Sequence, residues 1–247
     1  MSTFIKESRP YQECERFDPL QMSDFQLKDS QTVASQIYKT LRERIITMQL
    51  TPGVTMSEQE TANALGVSRT PVREAFIRLS REKMVIISPQ RRTAVAKIST
   101  ERAQQEHFLR ESLEQAVLEQ FVLNLRPGAI DVLEQVIELQ KQALLSKDFA
   151  AFLTFDDEFH RTFYVETDKY LCYQVLRRNC FDYQRLRYLS SCSDEAIQRM
   201  NLEQHEQMVR LIKERNLADV QALLRRHVRR IFDEIKVLKE RYPQFIQ

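Results

Sequence analysis

Glycine is scarce in this sequence, which holds three among 247 residues, at Gly53, Gly66 and Gly128. A dinucleotide-binding GxGxxG turn and a Walker phosphate loop both need several closely spaced glycines. Because the three glycines are far apart, the sequence excludes a nucleotide site built on either kind of loop. Each glycine lies where a turn is expected between two helical segments.

Cysteine is also scarce and is not arranged in pairs. The four cysteines form no CxxC motif and no series of short spacings, so the sequence predicts neither a disulfide scaffold nor a zinc site made of thiolates. We expect buried or unreactive thiols in a reducing compartment. The residues are Cys14, Cys172, Cys180 and Cys192.

Long hydrophobic runs are missing as well. A membrane-spanning helix needs roughly 20 consecutive apolar residues, and no stretch of the chain comes near that length. Residues 1–19 lack the apolar core of a secretory signal. We therefore expect a cytoplasmic protein without a membrane partner, and a flexible polar arm over residues 1–30.

Positive charge is concentrated in one segment. Residues 31–98 hold 11 lysines and arginines against 5 glutamates, a net charge of +6, whereas residues 1–30 and 99–247 each carry −2. A module that binds nucleic acid needs such a local excess of cations to neutralise backbone phosphates. We therefore divide the chain into the arm, a basic domain over 31–98 and a second domain over 99–247.

Within the basic domain the residue pattern predicts three helices. Apolar residues recur every four positions between Thr32 and Met48, which is typical of a helix, and Pro52-Gly53 then predicts a tight turn. Ser57, followed three residues later by Glu60, is a capping-box signature that begins the second helix. Ser68 follows the next turn and is placed to cap the third helix.

Two short apolar runs follow the third helix, at 85–88 and 94–98. The residues between them, PQRRT, include a proline and two arginines, so the pattern predicts a β-hairpin with a basic tip. Three helices followed by a two-stranded hairpin make a winged helix-turn-helix. The basic domain is therefore predicted to bind DNA.

The stretch SEQETANALGVSRTPVREAFIRL, preceded by PG and followed by PQRR, resembles the DNA-binding domain of the GntR family of bacterial transcription regulators. The resemblance implies that the third helix enters the major groove and that the hairpin tip enters the adjacent minor groove. The sequence departs from the family pattern at Gln59, where an arginine is common, and at Arg92, where the wing tip is commonly glycine. The implied DNA contacts are Ser68, Arg69, Thr70, Arg73, Gln59, Arg91 and Arg92.

From Ser99 onward the pattern is helical almost throughout. We place breaks at 126–128, around 167–168, near 190–193 and at 215–216, and we expect six helices, or seven if the 168–192 region divides. The predicted fold class is mainly α, with the winged helix-turn-helix followed by an all-α antiparallel helical bundle. Such a bundle after this winged helix resembles the effector-binding, dimerising domain of the FadR subfamily within the GntR regulators.

Three histidines and one aspartate in this domain have a spacing that suits a metal site. Asp156 and His160 are four residues apart and share a helix face. His205 and His227 lie 11 residues either side of Asn216, so each is about 16 Å from that turn at 1.5 Å per residue, and antiparallel helices bring them side by side. One carboxylate and three imidazoles suit a divalent transition metal, zinc, with nickel and manganese as alternatives. In the FadR-type domain, which this segment resembles, these four positions are the metal ligands.

Arg110 has two interpretations. The resemblance to the FadR subfamily implies that it faces the ligand cavity, where it binds a small carboxylate effector. The alternative is a surface ion pair with Glu114, four residues along the helix, worth a few tenths of a kcal/mol. His107 has no partner in the histidine pattern, and we expect it on the surface or in helix packing.

These patterns lead to one principal hypothesis and two alternatives. The principal hypothesis is a homodimeric, metal-containing repressor of the GntR type, without enzymatic activity, that a small organic acid releases from palindromic operator DNA. One alternative is a metal-dependent hydrolase or oxygen-using enzyme fused to a DNA-binding module, although no general base is evident beside the metal set. The other is a regulator in which the metal is purely structural.

Overall fold

The structure, a computed structural model, describes residues 22, 25–26, 31–88 and 92–247. The chain divides into two compact units. The first runs to Ala96 apart from Ile46–Met48, and the second takes those three residues and Lys97–Gln247. Most of the predicted arm and residues 89–91 of the hairpin tip, including Arg91, lie outside the described residues. The mainly helical fold class, with a winged helix-turn-helix and a helical second domain, is confirmed.

The first unit has three helices and a small sheet. The helices are α1 (Val33–Ile46), α2 (Glu58–Leu65) and α3 (Arg69–Arg81). The strands are β1 (Thr55–Met56), β2 (Val85–Ile87) and β3 (Thr93–Val95), and they form an antiparallel sheet in the order β1-β3-β2. The predicted hairpin corresponds to β2 and β3. We did not expect β1, because a strand of two residues is too short to produce an alternating pattern.

The ends of α2 and α3 follow the predicted caps only in part. The Ser57 side chain accepts a hydrogen bond from the Glu60 N–H at 3.1 Å, and Gly66 ends α2 with the left-handed backbone, φ 64°, that glycine tolerates. Ser68 occupies the N-cap position of α3 with an extended backbone, but its side chain makes no capping hydrogen bond. Ser68 therefore occupies the predicted N-cap position, but the predicted capping hydrogen bond is absent. The residue is exposed.

The second unit is a helical bundle. α4 packs against α8 and α10, and α5 packs against α6 and α9. The core includes the edge-to-face rings of Phe121, Phe159 and Phe163, with centroids 5.1 and 5.2 Å apart. The helices are α4 (Thr100–Leu123), α5 (Ala129–Leu145), α6 (Phe149–Glu166), α7 (Tyr170–Asn179), α8 (Phe181–Ser193), α9 (Glu195–Lys213), α10 (Leu217–Arg229) and α11 (Ile231–Arg241).

Over residues 97–247, all of which the structure describes, the number of helices is eight rather than six or seven. Three of the four predicted breaks are present, the break predicted near 190–193 is at Asp194, and the 168–192 region does divide, at Cys180. Two breaks were not predicted, one at 146–148 and one at Arg230, and neither contains a proline or a glycine to signal it. Among the described helices, none combines the length and the hydropathy that crossing a membrane requires.

Candidate DNA-reading surface and metal centre

Helix α3 buries one face and exposes the other. Its buried residues are Val72, Ala75, Phe76 and Leu79, which recur with helical spacing and anchor the helix in the first unit. The four predicted DNA contacts at its N-terminal end are all exposed; they are Ser68, Arg69, Thr70 and Arg73. Because the apolar face of α3 is buried and its polar face is exposed, these side chains can reach a groove of DNA.

Three of the predicted contacts already have partners within the first unit. Arg69 contacts Glu58 at 3.1 Å, and the exposed Gln59 amide donates to Asn63 Oδ1 at 2.8 Å. Arg92, beside the wing tip, forms an ion pair with Glu60 on α2. Arg73 forms no ion pair with any residue that the structure describes.

The four predicted metal ligands come together from three helices of the second unit. Asp156 and His160 lie on α6, His205 on α9 and His227 on α10, and their ligand atoms all lie within 4.8 Å of one another. His160 Nε2 is 3.3 Å from His227 Nε2, and His205 Nε2 is 3.8 Å from Asp156 Oδ1. All four side chains are buried, with at most 8% of any residue exposed.

Each histidine is oriented by an acceptor on its other ring nitrogen. The Nδ1 atoms of His160, His205 and His227 lie 3.1, 2.9 and 2.7 Å from oxygens of one side chain each. An acceptor at Nδ1 favours the tautomer with the proton there, which leaves the Nε2 lone pair for a metal. The three acceptors are Glu114, Gln140 and Gln204. Phe159 stacks on the His205 ring, with centroids 4.0 Å apart, and fixes its plane.

Electrostatics keep these groups in the forms that bind metals. Burial lowers the pKa of His205 to about 3 and the pKa of His227 well below its ordinary value, so both rings are neutral at pH 7. Burial alone would raise the pKa of Asp156, but the Arg187 guanidinium outweighs it and holds this pKa at about 2. Neutral imidazoles and an ionised carboxylate are the ligand forms of these residues.

Among the ring nitrogens that face one another in the cluster, the Nε2 atom of His205 has no hydrogen-bond partner among the described residues. This atom is fully buried, and a buried polar atom in that position costs free energy unless a partner reaches it. A divalent cation between the three Nε2 atoms and the carboxylate would satisfy it. The residues therefore fit the predicted metal, with three nitrogen donors and one oxygen donor of the kind that zinc, nickel and manganese accept.

A small cavity opens beside the cluster within the second unit. Asp156 and His227 line it, together with the guanidinium groups of Arg110, Arg187 and Arg230. Arg110 also pairs with Glu114 at 2.8 Å. The interpretation of that pair as a surface ion pair is wrong, because both side chains are buried, and Arg110 lines the cavity as the resemblance implied.

Sequence reasoning missed most of the residues that surround the metal ligands. Glu114 was noted only as a partner of Arg110, and nothing in the sequence marked Gln140 or Gln204, because a helical glutamine is ordinarily solvated. Arg187 pairs with Asp156 and reaches Asp157 at 2.9 Å, and no motif pointed to it.

His107 lies outside the cluster, edge-on to Phe232 with centroids 4.8 Å apart, so its expected role in helix packing agrees with the structure.

Comparison with known proteins agrees with both units. Residues 33–95 match the family of bacterial regulatory proteins called the gntR family, and residues 107–230, half of the chain, match the FCD domain. The HTH-type transcriptional repressor RspR of Escherichia coli is 30% identical over 215 residues, which cover 87% of this chain and 94% of that protein. The uncharacterised HTH-type transcriptional regulator YdfH of Shigella flexneri is similar to the same extent.

Two solved structures share the fold. Escherichia coli McbR/YncC has a TM-score of 0.70 at 20% identity, covering 86% of this chain and 99% of that one. A putative GntR transcriptional regulator from Rhodococcus sp. RHA1 has a TM-score of 0.69 at 20% identity, covering 83% and 97%. With both domain matches and a relative aligned over most of its length, this chain belongs to the GntR family, with an FCD domain, and is a DNA-binding transcription regulator and not an enzyme.

Proposed function

We propose that this regulator binds a palindromic operator as a homodimer, acts as a repressor, and is released from DNA by a small carboxylate effector. The observation that carries the proposal is the cluster of Asp156, His160, His205 and His227 beside a cavity lined by arginines. The cluster lies in the second unit, whereas the exposed end of α3 lies in the first. Sensing and DNA reading are therefore assigned to different units.

In this proposal the second unit holds a divalent transition metal, with zinc first and nickel or manganese as alternatives. Asp156 and the three histidines are its ligands. When bound, the cation supplies positive charge that attracts a carboxylate into the cavity. Arg110 is proposed to bind the carboxylate as well, because a guanidinium offers two parallel donors that match the two oxygens.

The proposal of a dimer rests on the geometry of helix-turn-helix recognition. One chain supplies one reading helix, and proteins of this type read half-sites about one helical turn apart with two symmetry-related helices. A palindromic operator is the DNA counterpart of that symmetry. The repressor role is supported by the name of RspR, which is a repressor.

Helix α8 offers a route from the cavity to the segment that joins the two units in sequence. Tyr183, Arg187 and Ser191 line the cavity at a spacing of four residues. On another side of α8, the Asp182 carboxylate accepts the Ser99 N–H at 3.2 Å, and Arg185 pairs with Asp182. An effector that shifts α8 would thereby move Ser99. Release from DNA requires that the effector bind better to the arrangement that does not fit the operator.

Fluorescence anisotropy with DNA from the protein's own promoter tests the proposal. We expect salt-dependent binding that is stronger than binding to random DNA of equal length, and weaker binding when a panel of small carboxylates is added to zinc-loaded protein. No preference for promoter DNA, or no response to any carboxylate, contradicts it.

Asp182→Asn is expected to keep carboxylate binding but to lose part of the DNA release.

The alternative of a purely structural metal predicts a different result. After chelation, a structural metal changes the melting temperature but leaves the intrinsic affinity for a carboxylate unchanged in protein that remains folded. An effector-site metal changes both, because the cation and Arg110 share the ligand. Calorimetric titration of chelated and zinc-loaded protein, below the lower of the two melting temperatures, distinguishes them.

A further inference from the structure

A short segment that follows α11 pairs with the segment that joins the two units in sequence. Ile246 and Ile98 form a parallel β-bridge. The Ile98 N–H donates to the Phe245 carbonyl and the Gln247 N–H donates to the Ile98 carbonyl, both at 2.9 Å. The bridge therefore binds both polar backbone groups of Ile98.

Apolar burial anchors this segment, residues 242–247, which we call the strap. Tyr242, Phe245 and Ile246 are each at most 5% exposed, and the rings of Tyr242 and Phe245 stack with centroids 5.9 Å apart. The Tyr242 N–H donates to the Leu238 carbonyl at the end of α11, at 2.8 Å. Because three buried apolar side chains hold it in place, the strap is a packed element and not a loose tail.

The strap is the principal anchor of the connector, residues 97–99. Ser99 is bonded to α8 independently of the strap. Arg185 donates to the Lys97 carbonyl at 3.4 Å, which is longer than an ordinary N–H···O hydrogen bond. If the strap detached, Lys97 and Ile98 would therefore lose their strongest backbone contacts, and the chain would be free as far as Ser99.

The length of free chain in the connector matters for binding to a palindromic operator. Its two half-sites lie about one helical turn apart, so two reading helices must be held at a matching separation. Two freed residues would add a flexible tether of about 7 Å to each reading unit. A longer tether lowers the effective concentration of the second helix at its half-site, whereas the contacts of one unit with the phosphates of random DNA do not depend on it.

We propose that the strap is a conformational device that fixes the connector, and that preference for the operator depends on its being closed. This inference rests on the proposed function, which supplies the homodimer and the palindromic operator. Opening the strap leaves the DNA contacts of each reading unit intact and lowers the affinity for two half-sites together. The strap acts through the backbone of Ile98 and is separate from the anchor between α8 and Ser99.

One buried charge tests the strap in the full chain. Ile246→Asp places a carboxylate at a side chain that is 5% exposed, and an unpaired buried charge is so unfavourable that we expect the strap to detach. Gln247→Asp is the matched control, because it adds the same charge at the next residue, which is exposed, and keeps both backbone hydrogen bonds. Removal of residues 245–247 is the second variant, since α11 ends at Arg241 and stays complete.

Hydrogen exchange and DNA binding are measured on the same zinc-loaded proteins, after circular dichroism has shown equal helix content. In Ile246→Asp we expect exchange at the Ile98 amide to rise by at least about tenfold, because this N–H loses its acceptor. We expect affinity for promoter DNA to fall by at least about fivefold, while affinity for random DNA of equal length stays within about twofold. Gln247→Asp should match the wild type in both measurements.

The results separate this inference from the proposed function. If Ile246→Asp and the protein without residues 245–247 fold and keep the wild-type preference for promoter DNA, the inference is overturned and the operator-binding dimer stands. Wild-type exchange at the Ile98 amide in both variants, or an equal loss on promoter and random DNA, overturns it as well. If the wild type itself shows no preference for promoter DNA, the operator part of the proposed function is wrong, and the role of the strap is overturned with it.

Discussion

The DNA-reading surface and the metal cluster differ in how firmly the chain holds their side chains. The Arg69 side chain is 63% exposed and has one surface partner, Glu58. His205 is fully buried, stacks on Phe159 and contacts Gln140. A surface that must adapt to DNA can leave its side chains mobile until it binds, whereas a metal site must fix its ligands before the ion arrives. Loss of a single residue should therefore cost more in the cluster.

The largest expected effect is the loss of a metal ligand. His205→Ala removes a donor that no other side chain replaces, so we expect zinc affinity to fall by more than about 100-fold, beyond the ~10–100-fold typical of losing an outer partner. Competition with a chelating dye measures this. His107→Ala is the control, because His107 lies outside the cluster. Stoichiometric, tightly bound zinc in the His205→Ala protein would show that these residues are not the metal site.

Loss of an orienting partner should rank second. Gln140→Leu removes the acceptor at His205 Nδ1 but keeps all four ligands, and we expect zinc affinity to fall by about 10–100-fold. Gln142→Leu changes an exposed glutamine two residues along the same helix and should leave the affinity unchanged. If both variants bind zinc with the wild-type affinity, metal binding does not depend on the side chains that orient the histidines, and the contrast with the DNA-reading surface weakens.

The reading helix should show a smaller effect for each residue. Arg73→Ala removes one exposed contact. If the guanidinium reads a base, we expect a loss of about 1–3 kcal/mol in binding to promoter DNA. If it contacts a phosphate, we expect the slope of log affinity against log salt concentration to fall in magnitude by about one. Arg81→Ala, at the other end of α3, should change affinity less. Anisotropy at several salt concentrations separates these outcomes. An equal loss from Arg81→Ala would contradict reading by the N-terminal end of α3.

The histidine cluster also predicts the pH dependence of stability in metal-free protein. Burial lowers the pKa of His205 to about 3 and that of His227 well below its ordinary value. Unfolded chains therefore take up protons below about pH 6.5 that the folded protein does not. Stability is therefore full above pH 6.5 and is lost as pH falls, by up to about 1.4 kcal/mol per pH unit for each proton.

Glu106 opposes that trend. Burial raises the pKa of Glu106 to about 7. As pH falls from about 7 toward the ordinary pKa of a glutamate, the folded state therefore binds a proton that the unfolded state does not, and this stabilises the fold. Urea unfolding between pH 7.5 and 5 should therefore show a shallow loss of stability in the wild type and a steeper loss in Glu106→Gln. A wild type that becomes more stable as pH falls would contradict the assignment of neutral, buried histidines.

The contrast between the two regions also explains what could be predicted from sequence. The meeting of Asp156, His160, His205 and His227 could be predicted because helical periodicity fixes which residues share a face, and the turn at Asn216 fixes which residues of α9 and α10 are neighbours. The reading helix was predicted because its apolar stripe and the LGVSRTPVREA motif are local. Both depend on spacing along the chain.

The outer partners depend on contacts that spacing does not encode. Gln140 lies 65 residues from His205, and Arg187 lies 31 residues from Asp156, so their meeting follows from the packing of α5 and α8 in the bundle. The break at Arg230 lacks proline and glycine, and no local residue marked it. The four clustered side chains could therefore be predicted from the sequence, whereas their outer partners follow only from tertiary packing.

The wing should show the smallest effect and is the sharpest test of the contrast. Arg92 is paired with Glu60, so it must leave one partner to reach a phosphate, and exposed pairs are worth about 0–1 kcal/mol. We expect Arg92→Ala to weaken promoter binding less than about fivefold. Glu60→Gln should strengthen binding slightly in wild type and have no such effect with Arg92→Ala present. If Arg92→Ala instead costs as much as Arg73→Ala, the departure from glycine at this position creates a principal DNA contact, and the ion pair with Glu60 is broken in the complex.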